Sequence, residues 1–448
     1  MNKVKWLTAI IALAAGITLA ADEPMTLTLR EAVDRALEVD ETYRSAAEDV
    51  VIAEAQIKEA KSALYPRVTL DASATKIYGI GAIVMPADSF GPGFPPEDVN
   101  IDMGYDENLA AGITATQPLY QGGRAWTAYR ASKAYYDLAN EARRQAYSDT
   151  VYEVVKAYYD AVLAAEAVGV ADTGVAVAGS HVQATEDRYD AGLVSEYDVL
   201  RARVELSNLE TSRHLAEDGR AAAARYLLSK LNLPPETELA MVDRLSYDLA
   251  VYDLEESLVA AEDNRPELAQ LELTRRLAEE NIKIARAGDN PGLYFTANFQ
   301  EYANDFTLDF GDEWQDQTTL NLSFSWPIFD GFATRSRVRQ ARADLYKAEL
   351  NQNQLEEGID MEVRAAYDAL KTAEGTVRTS KENVTLAERG LEIAQARYDA
   401  GLMSNLEVLD AQAALTQARL GYYEALHGYA VAKLNMMRAR GELDEAQF

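Results

Sequence analysis

Arg188-Tyr189-Asp190-Ala191-Gly192-Leu193-Val194-Ser195-Glu196-Tyr197-Asp198-Val199-Leu200 returns 209 positions later as Arg397-Tyr398-Asp399-Ala400-Gly401-Leu402-Met403-Ser404-Asn405-Leu406-Glu407-Val408-Leu409, with nine identities. A match of that quality at one offset is an internal repeat, and a repeat decides the fold before any single element does. Each copy places a glycine where a helix can end in a left-handed residue. A serine three positions later can then cap the next helix through its hydroxyl. Both copies therefore read as tight turns joining two helices.

Working outward, the same offset sets Gln117-Pro118-Leu119-Tyr120 against Trp326-Pro327-Ile328-Phe329. Ala53 to Pro66 aligns with Ala278 to Pro291 at an offset of 225, so the first copy carries the longer insertion between Pro66 and Pro118. Each copy reads helix, proline, strand-like stretch, proline, very long helix, glycine turn, second long helix. No proline occurs between Gly123 and Gly192 or between Gly331 and Gly401, and good helix formers dominate both stretches. Glycines at 169, 174 and 179 weaken the first. A continuous helix of that length spans roughly 100 Å, so such helices must pack lengthwise.

In the last helix, Leu406, Leu409, Ala413, Thr416, Leu420, Tyr423, His427, Ala430, Leu434 and Met437 predict a packing seam at three-four spacing. His427 lies on it and reads as a packed or hydrogen-bonded histidine rather than a ligand. Tyr129 with Tyr136, and Tyr152 with Tyr159, read as helix-packing pairs.

Between the prolines the period changes to two. Val68, Leu70, Ala72 and Ala74 alternate with polar neighbours, as do Leu320, Leu322, Phe324 and Trp326, and the stretches 109–115 and 293–299 behave alike. These predict four amphipathic strands in two hairpins, flanked by Tyr294, Trp326 and Phe329 as membrane-barrel strands are. Four strands cannot close a barrel, so several chains must supply the rest; three would give twelve. The joining segments, 83–108 and 301–316, are acidic and read as solvated loops. The second includes Asp305, Asp309, Asp312, Glu313 and Asp316, without the spacing of a calcium loop.

Composition narrows the function. The 448 residues carry 73 acidic and 43 basic side chains, a net charge of -30, which argues against a nucleic-acid partner. There is no cysteine, so no disulfide, thiolate metal site, thiol catalyst or N-terminal lipid attachment. Three scattered histidines give no local metal motif, and no phosphate loop, dinucleotide fingerprint or nucleophile elbow occurs. The expectation is no enzyme, no catalytic residue, no cofactor and no metal. Residues 1–21, with Lys3 and Lys5 before an apolar run and a small-residue end, read as an export signal. The nearest later apolar stretch, 154–180, is interrupted by Lys156, Asp160, Glu166 and Asp172 and reads as too polar to span a bilayer. A β-barrel is the membrane-spanning option left.

On the twin R-Y-D-A-G-L-x-S turns, the proline-flanked hairpins of each half and Asn264-Arg265-Pro266-Glu267-Leu268, the whole mature chain resembles the TolC-like outer-membrane efflux and secretion ducts. The resemblance implies a mostly α chain with a small β-barrel part. Three chains would form a 12-stranded transmembrane β-barrel continued by a long periplasmic α-helical barrel, in a homotrimer with two-fold internal repeat. It implies residues 22–240 as the first repeat (β-hairpin 67–119, tip near 192), 241–440 as the second (β-hairpin 293–328, tip near 401), and a tail at 441–448. It implies outer-membrane lipid, a periplasmic adaptor and an inner-membrane pump as partners. The adaptor would dock on Arg188, Tyr189, Gly192, Leu193, Ser195, Arg397, Tyr398, Gly401, Leu402 and Ser404. Glu407 and Asp410, three apart on one helix face, with Asp198 in the first copy, would form an acidic constriction. Met403 departs from the arginine that some members carry in the closing network. The competing reading is a periplasmic coiled-coil scaffold or adaptor, for which one helical hairpin between β-rich domains is expected instead of two hairpins and two strand pairs.

Overall fold

A computed structural model describes residues 25–102, 104, 106–306 and 314–443. The first half runs β1 (Met25–Leu27), α1 (Leu29–Val39), α2 (Glu41–Ser62), β2 (Arg67–Lys76), β3 (Ala82–Met85), β4 (Val99–Asp102), β5 (Glu107–Gln121), α3 (Arg124–Asp190) and α4 (Glu196–Lys230). The second runs β6 (Leu239–Met241), α5 (Leu254–Asn264), α6 (Pro266–Arg286), β7 (Gly292–Ala303), β8 (Gln315–Ser325), α7 (Ala333–Asp399) and α8 (Asn405–Ala439). The long helices of the two halves match in length: α3 and α7 have 67 residues each, α4 and α8 have 35 each. The export signal at 1–21, most of the tail, and Asp309, Asp312 and Glu313 lie outside the described residues.

The chain divides into two compact units. The first comprises 25–48, 141–268 and 354–443 of the described residues, and its core is helical. Val151, Val154, Val155, Tyr158 and Val162 of α3 meet Ile359, Val363, Leu370 and Val377 of α7 and Leu426, Tyr429 and Met436 of α8. The three-four spacing puts each set on one helix face, and full burial of each such side chain contributes about 1.5–3 kcal/mol. Helix α3 runs unbroken through Gly169, Gly174 and Gly179. A glycine costs about 1 kcal/mol against alanine inside a helix, and at Gly174 neighbours use the space: an added Cβ would lie 3.6 Å from Thr416 Oγ1 and 3.8 Å from Leu209 Cδ2.

Short elements lock this unit. β1 pairs in parallel with β6, and the buried Tyr158 hydroxyl lies 2.9 Å from both the Leu27 carbonyl and Asp243 Oδ2. Thr28 caps α1 in a reciprocal box with Glu31. In the Asn264-Arg265-Pro266-Glu267-Leu268 stretch, Pro266 opens α6 where a missing N–H costs nothing. Arg265 is buried and donates to Glu362 (2.6 Å). The Asn264 carbonyl accepts from Arg144 (2.5 Å).

Two expectations are corrected here. Leu406 and Ala413 of the α8 seam are exposed. The buried stripe at that end is Asn405, Val408, Leu409, Gln412 and Leu415, because polar Asn405 finds hydrogen-bond partners that make its burial tolerable. The α3 helix also holds an 18-residue window apolar enough, by length and composition, to cross a membrane. Val162, Val170 and Ala178 of α3 are buried, but only 28% of that window is.

The second unit, residues 49–140 and 269–353, carries a four-stranded antiparallel sheet ordered β2-β5-β7-β8. Ten residue pairs join β2 to β5, from Arg67 with Thr116 to Lys76 with Glu107. The β5–β7 ladder shifts register between Pro118 and Tyr120, since proline cannot donate to a ladder and is tolerated at a bulge. The outer strands are bare on their apolar positions: Val68, Leu70, Leu320, Leu322 and Phe324 are all at least 64% exposed. Within the segment read as a plain loop, β3 and β4 form a further antiparallel pair. Alternating Ile83 and Met85 against Val99 and Ile101 supply the strand pattern that its glycines and prolines obscured.

Candidate functional site

Both sequence-matched turns close in the same way. α3 ends at Asp190, and Gly192 takes φ +72°. Its N–H then donates to the Tyr189 carbonyl (2.8 Å), and Leu193 N–H donates to the Arg188 carbonyl (2.8 Å). At the second tip Gly401 has φ +74°, Gly401 N–H donates to Tyr398 (3.0 Å) and Leu402 N–H to Arg397 (2.8 Å). These paired bonds satisfy carbonyls that a helix end leaves open. Leu193 and Leu402 follow, 75% and 72% exposed. Two leucines so bare mark surfaces that the folded chain does not use for its own core.

The next helices start on reciprocal caps. Ser195 N–H and hydroxyl both donate to Asp198 Oδ2 (3.1 and 2.7 Å), and Asp198 N–H donates back to Ser195 Oγ (3.3 Å). Ser404 N–H and hydroxyl both donate to Glu407 Oε2 (2.9 Å each). Asp198 and Glu407 therefore have a structural role as third residues of capping boxes. The Ser404 amide, then its hydroxyl, hold the Glu407 carboxyl below the usual carboxylate range. Asp410 is exposed one turn further on.

The tips of the two copies touch each other, and the contact is asymmetric. Arg188 donates to the Tyr398 carbonyl (2.9 Å) and to Asp399 Oδ1 (3.0 Å), with its guanidinium 4.3 Å from the centre of the Tyr398 ring. Behind this clasp lies a buried polar bridge: His181 Nε2–H donates to Asn405 Oδ1 (2.5 Å), and Asn405 Nδ2 donates to the Asp198 carbonyl (3.0 Å). His181 and Asn405 are each 4% exposed. The sequence reading missed both. The signal was a break in the repeat, since Asn405 matches Glu196 and His181 matches Gly390.

Further along, His427 Nε2 lies 2.6 Å from Asp160 Oδ1, and Lys156 donates to Asp160 Oδ2 (2.8 Å). Burial pushes the Asp160 carboxyl up, but the hydrogen bonds from His427 and Lys156 outweigh it, and the net direction is down. His427 is thus a packed, hydrogen-bonded residue. Among the described residues no group of three or more acidic or histidine side chains is arranged to hold a metal ion.

The family described as Outer membrane efflux protein matches residues 32–232 and 258–442. The chain belongs to that family. This outer membrane efflux protein is 27% identical to Protein CyaE of Bordetella pertussis over 431 residues, covering 94% of this chain and 86% of that one. It is 27% identical to Outer membrane protein TolC of Escherichia coli over 271 residues, which is 58% of this chain and 55% of the length of that relative. The solved outer-membrane channel OprN superposes with a TM-score of 0.76 at 21% identity, covering 92% of this chain and 90% of that one. The fold is that of the outer-membrane channels of efflux and secretion, with a strand portion and a long helical portion.

Proposed function

We propose that this outer membrane efflux protein is the passive, gated duct of a tripartite efflux or type I secretion system, assembled as a homotrimer. The observation that carries the reading is the open sheet β2-β5-β7-β8, whose outer strands leave backbone edges unpaired and apolar side chains bare. An open edge does not survive in a bilayer, because unpaired N–H and C=O groups cost several kcal/mol each in hydrocarbon. Three copies close the sheet as a twelve-stranded barrel. The layout follows the repeat, 22–240 and 241–440. Cargo passes through and no bond is made or broken.

At the tips, Leu193 and Leu402, with the Arg188, Tyr189, Gly192, Ser195, Arg397, Tyr398, Gly401 and Ser404 framework that presents them, form the docking surface for a periplasmic adaptor. The adaptor in turn engages an inner-membrane pump. Glu407 and Asp410, with Asp198 beside them, ring the periplasmic opening. Fractionation and native mass measurement in detergent test the assembly: a monomer recovered in the soluble periplasmic fraction without detergent refutes it and favours the scaffold reading. Replacing Leu193 and Leu402 by aspartate tests docking. The expected result is loss of in-cell crosslinking to an adaptor while the protein still reaches the outer membrane; crosslinking at the unaltered level removes the tips from that role.

A further inference from the structure

The clasp between the two copies uses one side of each tip. Arg188 binds the Tyr398 carbonyl and ring and the Asp399 carboxylate, whereas among the described residues no side-chain hydrogen bond or ion pair joins their repeat partners Arg397, Tyr189 and Asp190; the Tyr189 and Arg397 carbonyls accept only within their own turns, and the charge of Arg397 acts on Glu407 of its own tip. Burial divides the same way. Tyr398 is 3% exposed against 44% for Tyr189, and Leu409 is 6% exposed against 53% for Leu200. The first copy thus bares the face that the second copy buries, and the second copy bares the arginine that the first copy uses. A contact between unlike faces of two equivalent units repeats head to tail and closes as a ring.

We propose that Arg397 of one chain closes on the Tyr189 carbonyl and ring and the Asp190 carboxylate of a second copy of this chain, repeating across the chain boundary the clasp that Arg188 makes within it. The inference rests on the oligomeric duct reading. The charges are complementary and the groups match type for type at the 209-residue offset. What does not repeat is the buried bridge, because Glu196 and Gly390 stand where Asn405 and His181 are. The joint between chains holds only the arginine clasp and the leucine face. Its arginine therefore sets register rather than supplying most of the affinity, as partly exposed ion pairs do.

The natural absence of cysteine makes the test direct. Asp190→Cys with Arg397→Cys, purified in detergent and treated with a short bis-maleimide, should give covalent dimers and trimers on a denaturing gel. Arg188→Cys with Asp399→Cys should crosslink within single chains only. If native mass shows the trimer and the first pair yields no chain-to-chain product while the second pair reacts, the proposal is wrong and the duct reading stands. If native mass shows a monomer, both are wrong. Should the cysteine pair impair assembly, the charge exchange decides. Asp190→Arg and Arg397→Asp should each lower the thermal midpoint of the oligomer, and the double variant should restore it; losses that simply add overturn the clasp.

Discussion

Replacing Gly401 by valine tests the turn on which both tips depend. At φ +74° the backbone is left-handed, yet an added Cβ would meet no heavy atom within 4 Å. The cost is therefore the residue's own backbone strain and nothing else. For an ordinary L-residue that is about 1–2 kcal/mol, with a β-branched side chain at or beyond the upper end. The chain relieves the strain by opening the turn, which breaks the bonds from Gly401 N–H to Tyr398 and from Leu402 N–H to Arg397. A cost of 1–2 kcal/mol raises the opened population by a factor of roughly 5–30. Hydrogen exchange read by mass spectrometry should then show faster exchange by about that factor in peptides spanning 397–404, with the peptides around Gly192 unchanged. Gly192→Val should show the mirror pattern, and Gly401→Ala should fall at the low end. Gly219→Ala, inside α4 with open space around it, is the control: it removes a helix glycine worth roughly 0.5–1 kcal/mol and should leave both tips as protected as before. Export should fall in Gly401→Val at normal protein abundance. Unaltered protection of the 397–404 peptides in Gly401→Val would refute the argument, since the strain would then have no local outlet.

Three further outcomes are expected. Glu407→Gln with Asp410→Asn should weaken the cation preference of the pore, seen as a reversal potential closer to zero in planar bilayers under a salt gradient. Glutamine still offers Ser404 an acceptor, so the helix start survives while six charges of a trimer are removed; an unchanged potential means these acids do not line the opening. Asn405→Ala should destabilise the helical part by about 1–3 kcal/mol, because it strands the buried His181 Nε2–H, and a urea midpoint equal to that of the parent would dismiss the bridge as a stabilising element. For Asp160, whose folded carboxyl is lowered, the stabilisation is present above the ordinary carboxylate range and is lost as pH falls through the folded value. Acidification to about pH 3, below the usual carboxylate range, should lower the thermal midpoint more in the parent than in Asp160→Asn, followed by circular dichroism; equal slopes would count against the His427 and Lys156 pairing.

Local chemistry was legible in the sequence wherever a residue acts on its own chain neighbours. Gly192 and Gly401 fix a left-handed cap, Ser195 and Ser404 start the next helix, Pro66, Pro291 and Pro327 flank strands whereas β5 runs on through Pro118, and period two marks the four strands, because each depends on backbone sterics within a few residues. The repeat offset even fixed which residues correspond. What the sequence could not say is which of two equivalent faces each copy would bury. Arg188 and Arg397 are the same residue in the same motif, and only the packing of one hairpin beside the other sends Arg188 onto Tyr398 and leaves Arg397 exposed. The α8 seam was misplaced at Leu406 and Ala413 for the same reason: a pattern of apolar residues ignores Asn405, whose burial is favourable only when His181 and the Asp198 carbonyl, more than two hundred positions away in sequence, arrive to meet it. Buried polar groups are placed by their partners, and partners that distant are brought together by the tertiary fold alone.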